Sequence, residues 1–178
     1  MKDFTKSVLK TGATIAVLAG LAVYAWQGDK RSQKDAKEKD DRKKIISVAK
    51  EAVNAVEMRV RGVEAKITRA DGRWLIAAPV KTDGDQAAID ALVGAFDTLR
   101  VERVVEEKPA DLKAYGLDAP EITIRLAKAD GTTVGLSVGM KNDFDNTYYL
   151  SRVGGTAVYQ APTSSRFSFD KDLFALRE

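Results

Sequence analysis

The sequence predicts an α+β body, a mostly antiparallel β-sheet with packed helices, preceded by a single N-terminal transmembrane helix. Three observations predict it. Short runs of alternating apolar and polar residues are joined by tight Asp-Gly or Gly-Gly turns, the pattern of hairpins with one buried face. Strands and helices are grouped, with hairpins between neighbouring strands, which favours an antiparallel sheet with helices laid on it. Ahead of the body stands TGATIAVLAGLAVYAWQG, Thr11 to Gly28, 18 residues without a charge in a chain that is 31% charged.

A helix rises about 1.5 Å per residue, so this stretch spans roughly 27 Å, just short of the ~30 Å hydrocarbon core of a bilayer. Tyr24 and Trp26, near its end, suit the membrane interface, where an amphipathic ring meets the headgroups. Residues 1–28 therefore read as a membrane anchor. A cleavable signal peptide is the alternative: Lys2, Lys6 and Lys10 form a basic start, Ile15 to Val23 an apolar centre, and Val23-Tyr24-Ala25 a small-x-small cleavage site. A buried core helix is disfavoured by the flanking lysines and the hydrophilic tract after Gly28. Gly12, Ala16 and Gly20 recur at i, i+4 and i+8, a strip of small residues that lets a second helix approach closely in lipid. It is the best indication of a membrane-protein partner in the chain. Orientation stays open on charge alone. Lys30 to Lys44 holds eight Lys or Arg, which favours a cytoplasmic body, whereas a short basic tail beside the first helix favours the reverse.

Residues 29–44, DKRSQKDAKEKDDRKK after Gly28, carry no apolar side chain except Ala36. Asp35/Lys39, Glu38/Arg42 and Asp40/Lys44 are acid-before-base pairs at i, i+4, so a solvated helical spacer is expected. Binding to anionic lipid headgroups is the alternative, weakened by the interspersed acids.

The body, residues 45–178, opens with strands. Val56 to Arg61 alternates strictly, as does Ala65 to Thr68, and Asp71-Gly72 turns the chain into Trp74-Leu75-Ile76. Pro79 ends that strand. Asp83 offers a helix N-cap with Gln86 three residues on, and Ile89, Leu92, Val93, Phe96 and Leu99 follow on one helical face. Val101 to Val105 reads as a strand. PADLKAYGLDAP reads as a short helix that Pro109 opens, with Gly116 as a left-handed C-cap and Leu117 packing back. Ile122 to Leu126 and Val134 to Val138 form a hairpin around Asp130-Gly131. Tyr148 to Val153 and Thr156 to Tyr159 form another around Gly154-Gly155, and a last short helix is expected from Asp170 to Leu176.

Composition excludes much. There is no cysteine and no histidine in the 178 residues, which removes disulfides, thiolate chemistry, Cys/His zinc sites and histidine acid–base catalysis. A net charge of +3 without a basic face makes nucleic acid a poor partner. Neither a G-x-G-x-x-G nor a Walker A phosphate loop occurs. Ser168 and Lys171 match the S-x-x-K spacing of acylating enzymes, but S-D-N is missing, and the sole K-T-G, Lys10 to Gly12, lies at the apolar segment. Asn142, Asp143, Asp145 and Asn146 supply four oxygen-bearing side chains of the kind Ca²⁺ prefers, yet not at EF-hand spacing, and they are ordinary turn formers. No metal or cofactor is therefore expected, and no catalytic residue. Trp74, Tyr148, Tyr149 and Tyr159 would make a stacking platform for glycan or peptide if they shared a surface; strand aromatics more commonly pack in cores.

The blocks DGRWLIAAPV, DQAAIDALVGAFDTLR, VERVVEEKPADLKAYGLDAP, ITIRLAKADG, LSVG, TYYLSRVGGTAVY and FDKDLFALR resemble, in that order, domain of unknown function 4340 over Val56 to Arg177. The resemblance implies a bacterial envelope protein with one N-terminal membrane helix and an extracytoplasmic, periplasmic body anchored in the inner membrane. Some members resemble auxiliary parts of ABC-type export or gliding-motility systems. Longer members continue past the closing Leu-Arg, so this chain looks like a single-unit member. The family carries no established catalytic residues, so none transfers. The expectation is a non-enzymatic accessory or scaffold subunit of a membrane complex, with an extracytoplasmic glycan- or peptide-binding module as the alternative. The partner and the oligomeric state are not specified.

Overall fold

The computed structural model describes Asp40 and residues 43–178. The chain divides into two units, Met1–Arg42 and Lys43–Glu178, and the architecture below is that of the second. It contains nine strands: β1 Val53–Val60, β2 Val63–Ala70, β3 Arg73–Ala78, β4 Thr82–Asp83, β5 Arg103–Glu106, β6 Ile122–Lys128, β7 Thr133–Asn142, β8 Thr147–Arg152 and β9 Val158–Pro162. Two α-helices accompany them, α1 Gln86–Thr98 and α2 Thr163–Phe169, with short 3-10 turns at Lys50–Ala52, Lys113–Tyr115 and Phe174–Leu176.

All nine strands form one sheet in the order β4-β3-β2-β1-β6-β7-β8-β9-β5, and every pairing is antiparallel. The fold is thus α+β, as the grouped pattern predicts. Two meanders run outward from the centre, β1 to β4 toward one edge and β6 to β9 toward the other. They meet where β1 lies antiparallel to β6, Glu57 opposite Arg125 and Arg59 opposite Thr123. Tight turns make the hairpins. Arg61 and Gly62, and again Asp71 and Gly72, hold φ of 51° and 82°, and 50° and 79°. Positive φ at both central residues is the primed turn whose twist matches paired strands. RADG and KADG, similar as text, occupy non-equivalent turns, β2 to β3 and β6 to β7.

The alternation of β1 and β6 decides what is buried. Val56, Met58 and Val60, with Ile122, Ile124 and Leu126, face the helices and are buried among Ile67, Trp74, Ile76, Leu136, Val138 and Leu150. Ile89, Leu92, Val93 and Phe96 of α1 close this core, and each buried aliphatic or aromatic side chain contributes about 1.5–3 kcal/mol. Phe169 of α2 meets Phe96 edge to face, with ring centroids 5.2 Å apart. Both helices therefore cover the same side of the sheet.

The short helix expected to open at Pro109 is only the 3-10 turn Lys113–Tyr115, and two further helix boundaries differ from the sequence expectation. The N-cap of α1 is Asp85 rather than Asp83, its Oδ1 accepting from the Ala88 amide at 2.9 Å. Gln86 does not complete a capping box. Its Oε1 accepts from the Trp74 amide at 2.7 Å and its Nε2 donates to the Trp74 carbonyl at 3.0 Å. The side-chain amide thereby stands in for a ladder partner beyond the end of the two-residue β4. The last helix begins at Thr163, seven residues earlier than expected, and Phe174–Leu176 is a separate 3-10 turn. TSSRFSF has poor helix propensity. Arg166 holds it in place, stacked 4.7 Å over the Tyr148 ring and 2.7 Å from Glu121.

Lys43 and Lys44, at the end of the charged tract, belong to the folded unit. The Lys43 carbonyl accepts from Val101 and Lys44 pairs with Asp97 at 2.6 Å.

Candidate functional site

The face of the sheet opposite the helices is only half covered. The segment after β5 crosses the β7–β8 side as a strap. Its 3-10 turn ends at Gly116, φ 64°, in the left-handed region that the C-cap reading requires. This turns Leu117 down into a buried position. Tyr115 stacks edge to face on Tyr149 at 5.0 Å and donates its hydroxyl to Glu106 at 2.9 Å. That hydrogen bond to an anion raises the pKa of the phenol, since it favours the protonated form. Thr156 Oγ1 donates to the Glu107 carbonyl at 3.0 Å and fastens the start of the strap.

Over β2, β1 and β6 no described residue covers the same face. A groove of about 680 Å³ runs there, walled on one side by Leu117 and Pro120. Its floor follows from strand register. One row places Glu64, Arg59, Thr123 and Ser137 side by side on β2, β1, β6 and β7; the next places Lys66, Glu57 and Arg125. Residues opposite one another across strands have Cβ atoms about 4.5–5.5 Å apart, and diagonal neighbours stand about 7–8 Å apart. Lys66 and Glu57 pair at 3.2 Å. The side chains of Arg59, Arg125 and Glu64 have no hydrogen bond, ion pair or ring contact among the described residues. Thr123 is 7% exposed, and its Oγ1 is buried without a hydrogen-bond partner. A buried hydroxyl left unpaired costs about 1–3 kcal/mol.

A second polar cluster, on the helix side, serves the fold. Trp74 Nε1 donates to Asp90 Oδ1 at 2.9 Å and Lys50 Nζ donates to Oδ2 at 3.0 Å. Burial works against the Asp90 charge, but the Trp74 and Lys50 hydrogen bonds outweigh it and hold the carboxyl below its ordinary value. The indole is buried in the core and spent on this contact.

The sequence-derived sites fare differently. The four aromatics do not share a surface. Trp74, Tyr148 and Tyr159 lie toward the helices, and Tyr149 lies on the opposite face under the strap. The Asn142–Asn146 stretch is the β7–β8 turn, and its oxygens serve the turn itself. Asn142 Oδ1 accepts from the Phe144 amide at 3.2 Å, Asp145 accepts from Thr147, and Asp143 pairs with Lys141 at 3.5 Å. Asn146 adopts φ 55°. Among the described residues no group of three Asp or Glu side chains could hold a metal. Ser168 is the penultimate residue of α2 and Lys171 lies beyond its end. Gly12, Ala16, Gly20, Tyr24 and Trp26 lie outside the described residues, and among the described ones no helix is long and apolar enough to cross a membrane. Arg59, Thr123 and Arg125 were not singled out by sequence reasoning. Their polar places in two alternating strands were visible, but that those strands are neighbours was not.

An antiparallel sheet backed by helices on one side, with a charged and partly open second side, defines the class: a helix-backed α+β module. Residues 74–178 match the family described as domain of unknown function (DUF4340), and the chain belongs to that family. The match begins inside β3, later than the Val56 start of the motif resemblance, and takes in every element from there onward. No curated protein and no solved structure matches the chain.

Proposed function

We propose that the protein is a non-enzymatic, single-pass membrane protein of the bacterial envelope, whose periplasmic body serves as an accessory or scaffold subunit of a larger inner-membrane complex. The observation that carries this reading is the pairing of an uncharged stretch, Thr11 to Gly28, with a compact body that leaves half of one sheet face open and charged. The family resemblance supports the side of the membrane and points to ABC-type transport or motility assemblies as the partner class. The mechanism is tethering. A short linker gives an effective concentration on the order of 1 mM, so a body–partner contact with a Kd of about 0.1 mM is largely occupied. The membrane helix docks through the Gly12, Ala16 and Gly20 strip. Replacing Gly12 and Gly20 by Leu is expected to reduce recovery of a membrane partner after gentle detergent extraction; undiminished recovery refutes the helix-docking part.

The second reading, an extracytoplasmic ligand-binding module, draws its support from the groove over β2, β1 and β6 rather than from the aromatic residues. Its volume lies within the range of small-ligand sites, about 300–1,000 Å³.

A further inference from the structure

We infer that the open groove binds a zwitterionic ligand, an α-amino acid or short peptide. Its carboxylate lies between Arg59 and Arg125, and its ammonium lies against Glu64. This rests on the second reading above and names the chemistry of that site.

The argument is one of unpaired groups. Arg59 and Arg125 stand diagonally on the central strands β1 and β6, and Thr123 lies directly opposite Arg59. Such a diagonal is within reach of side chains as long as arginine. Two guanidinium groups facing one groove repel each other unless an anion sits between them. Glu57 stands directly opposite Arg125 but pairs with Lys66 instead, at 3.2 Å. A planar carboxylate matches the guanidinium fork and is bound by two parallel hydrogen bonds. Thr123 lines the same groove, with its unpartnered hydroxyl buried beneath the surface. Glu64, opposite Arg59 on β2 and also without a side-chain partner among the described residues, adds one uncommitted acid to the two uncommitted arginines, beside the Glu57–Lys66 pair. That arrangement penalises a multiply charged anion such as phosphate. It favours a ligand that carries one carboxylate and, within the length of a short peptide, one cation.

The test uses the full chain in nonionic detergent, with tetra-alanine, its C-amidated form, its N-acetylated form and inorganic phosphate as probes, followed by calorimetry. Tetra-alanine is expected to bind, with C-amidation weakening it at least tenfold and N-acetylation weakening it several-fold. Arg59→Met and Arg125→Met are each expected to weaken binding about tenfold while leaving the unfolding midpoint in place. Glu64→Gln is expected to remove the discrimination between free and acetylated peptide. Equal binding of the amidated and free peptides, or phosphate binding as tightly as tetra-alanine, overturns the zwitterion assignment and leaves the groove standing as a ligand site. Binding by none of the four probes overturns both, as does tetra-alanine binding unchanged in both arginine variants.

Discussion

Gly139→Ala and Gly94→Ala, the same chemical change at two places, are expected to shift stability in opposite directions. Gly139 lies in β7 under the strap. A methyl group there would sit deep inside contact distance of the Tyr115 carbonyl oxygen, and 3.0 Å from both the Gly116 oxygen and Leu117 Cγ. Gly139 is outside the left-handed region, so the cost is steric, and the obstacle is mainly backbone that cannot turn away. Overpacking of this kind costs about 1–3 kcal/mol. The ceiling is release of the strap. It forfeits the Leu117 burial, about 1.5–3 kcal/mol, and the Tyr115–Tyr149 pair, about 0.5–1.5 kcal/mol. Gly94, in the middle of α1, has nothing within 4 Å of where a Cβ would stand. Alanine there removes the entropy cost of a helical glycine and gains about 0.5–1 kcal/mol. Urea unfolding of the full chain in nonionic detergent, followed by tryptophan fluorescence, reads both. With an m-value of about 2 kcal/mol/M, the midpoint falls by about 0.5–1.5 M for Gly139→Ala and rises by about 0.25–0.5 M for Gly94→Ala. A Gly139→Ala midpoint at or above wild type refutes the packing of the strap on the sheet.

Two further outcomes concern the body. Phe169→Ala removes a fully buried ring that meets Phe96, and a loss of about 3–5 kcal/mol is expected in the same assay; a loss below about 1 kcal/mol would mean that α2 does not dock on α1. Acid should loosen the attachment of Lys43 and Lys44. The Lys44 hydrogen bond, with help from the Val48 amide, holds the Asp97 carboxyl below its ordinary value of 3.8 despite some burial. Near that pH the unfolded chain binds more protons than the native one. The contribution is therefore full above about pH 5 and declines as pH falls through 3.8 toward the lower native value. Asp97→Asn should flatten the fall of the unfolding midpoint between about pH 5 and pH 3, and an unaltered slope counts against the pair.

The wall that Gly139 supports and the groove beside it show how unevenly the site was legible. The left-handed cap at Gly116 and the packing of Leu117 could be read from PADLKAYGLDAP, because cap chemistry is local. That this cap covers β7 could not, because it depends on a backbone approach that only a residue without a Cβ permits, at Gly139. The Asn142–Asn146 oxygens suggested a ligand set, and the structure spends them on their own turn, as short polar side chains commonly do.

By itself the sequence determined the local grammar: which runs alternate, where Asp-Gly turns the chain, which face of α1 is apolar, and that no histidine or cysteine is present to do chemistry. Those depend on periods of two and 3.6 residues and on turn dihedrals, which neighbouring residues set. The tertiary structure alone decided that β1 lies beside β6 at the centre of the sheet, that Gln86 serves the edge of β3, and that poor helix formers at Thr163–Phe169 become a helix. It also decided that Arg59, Thr123 and Arg125 share one open face. Each of these depends on contacts between residues far apart in the chain, where the free energy of burial and the register of paired strands, rather than local preference, select the partner.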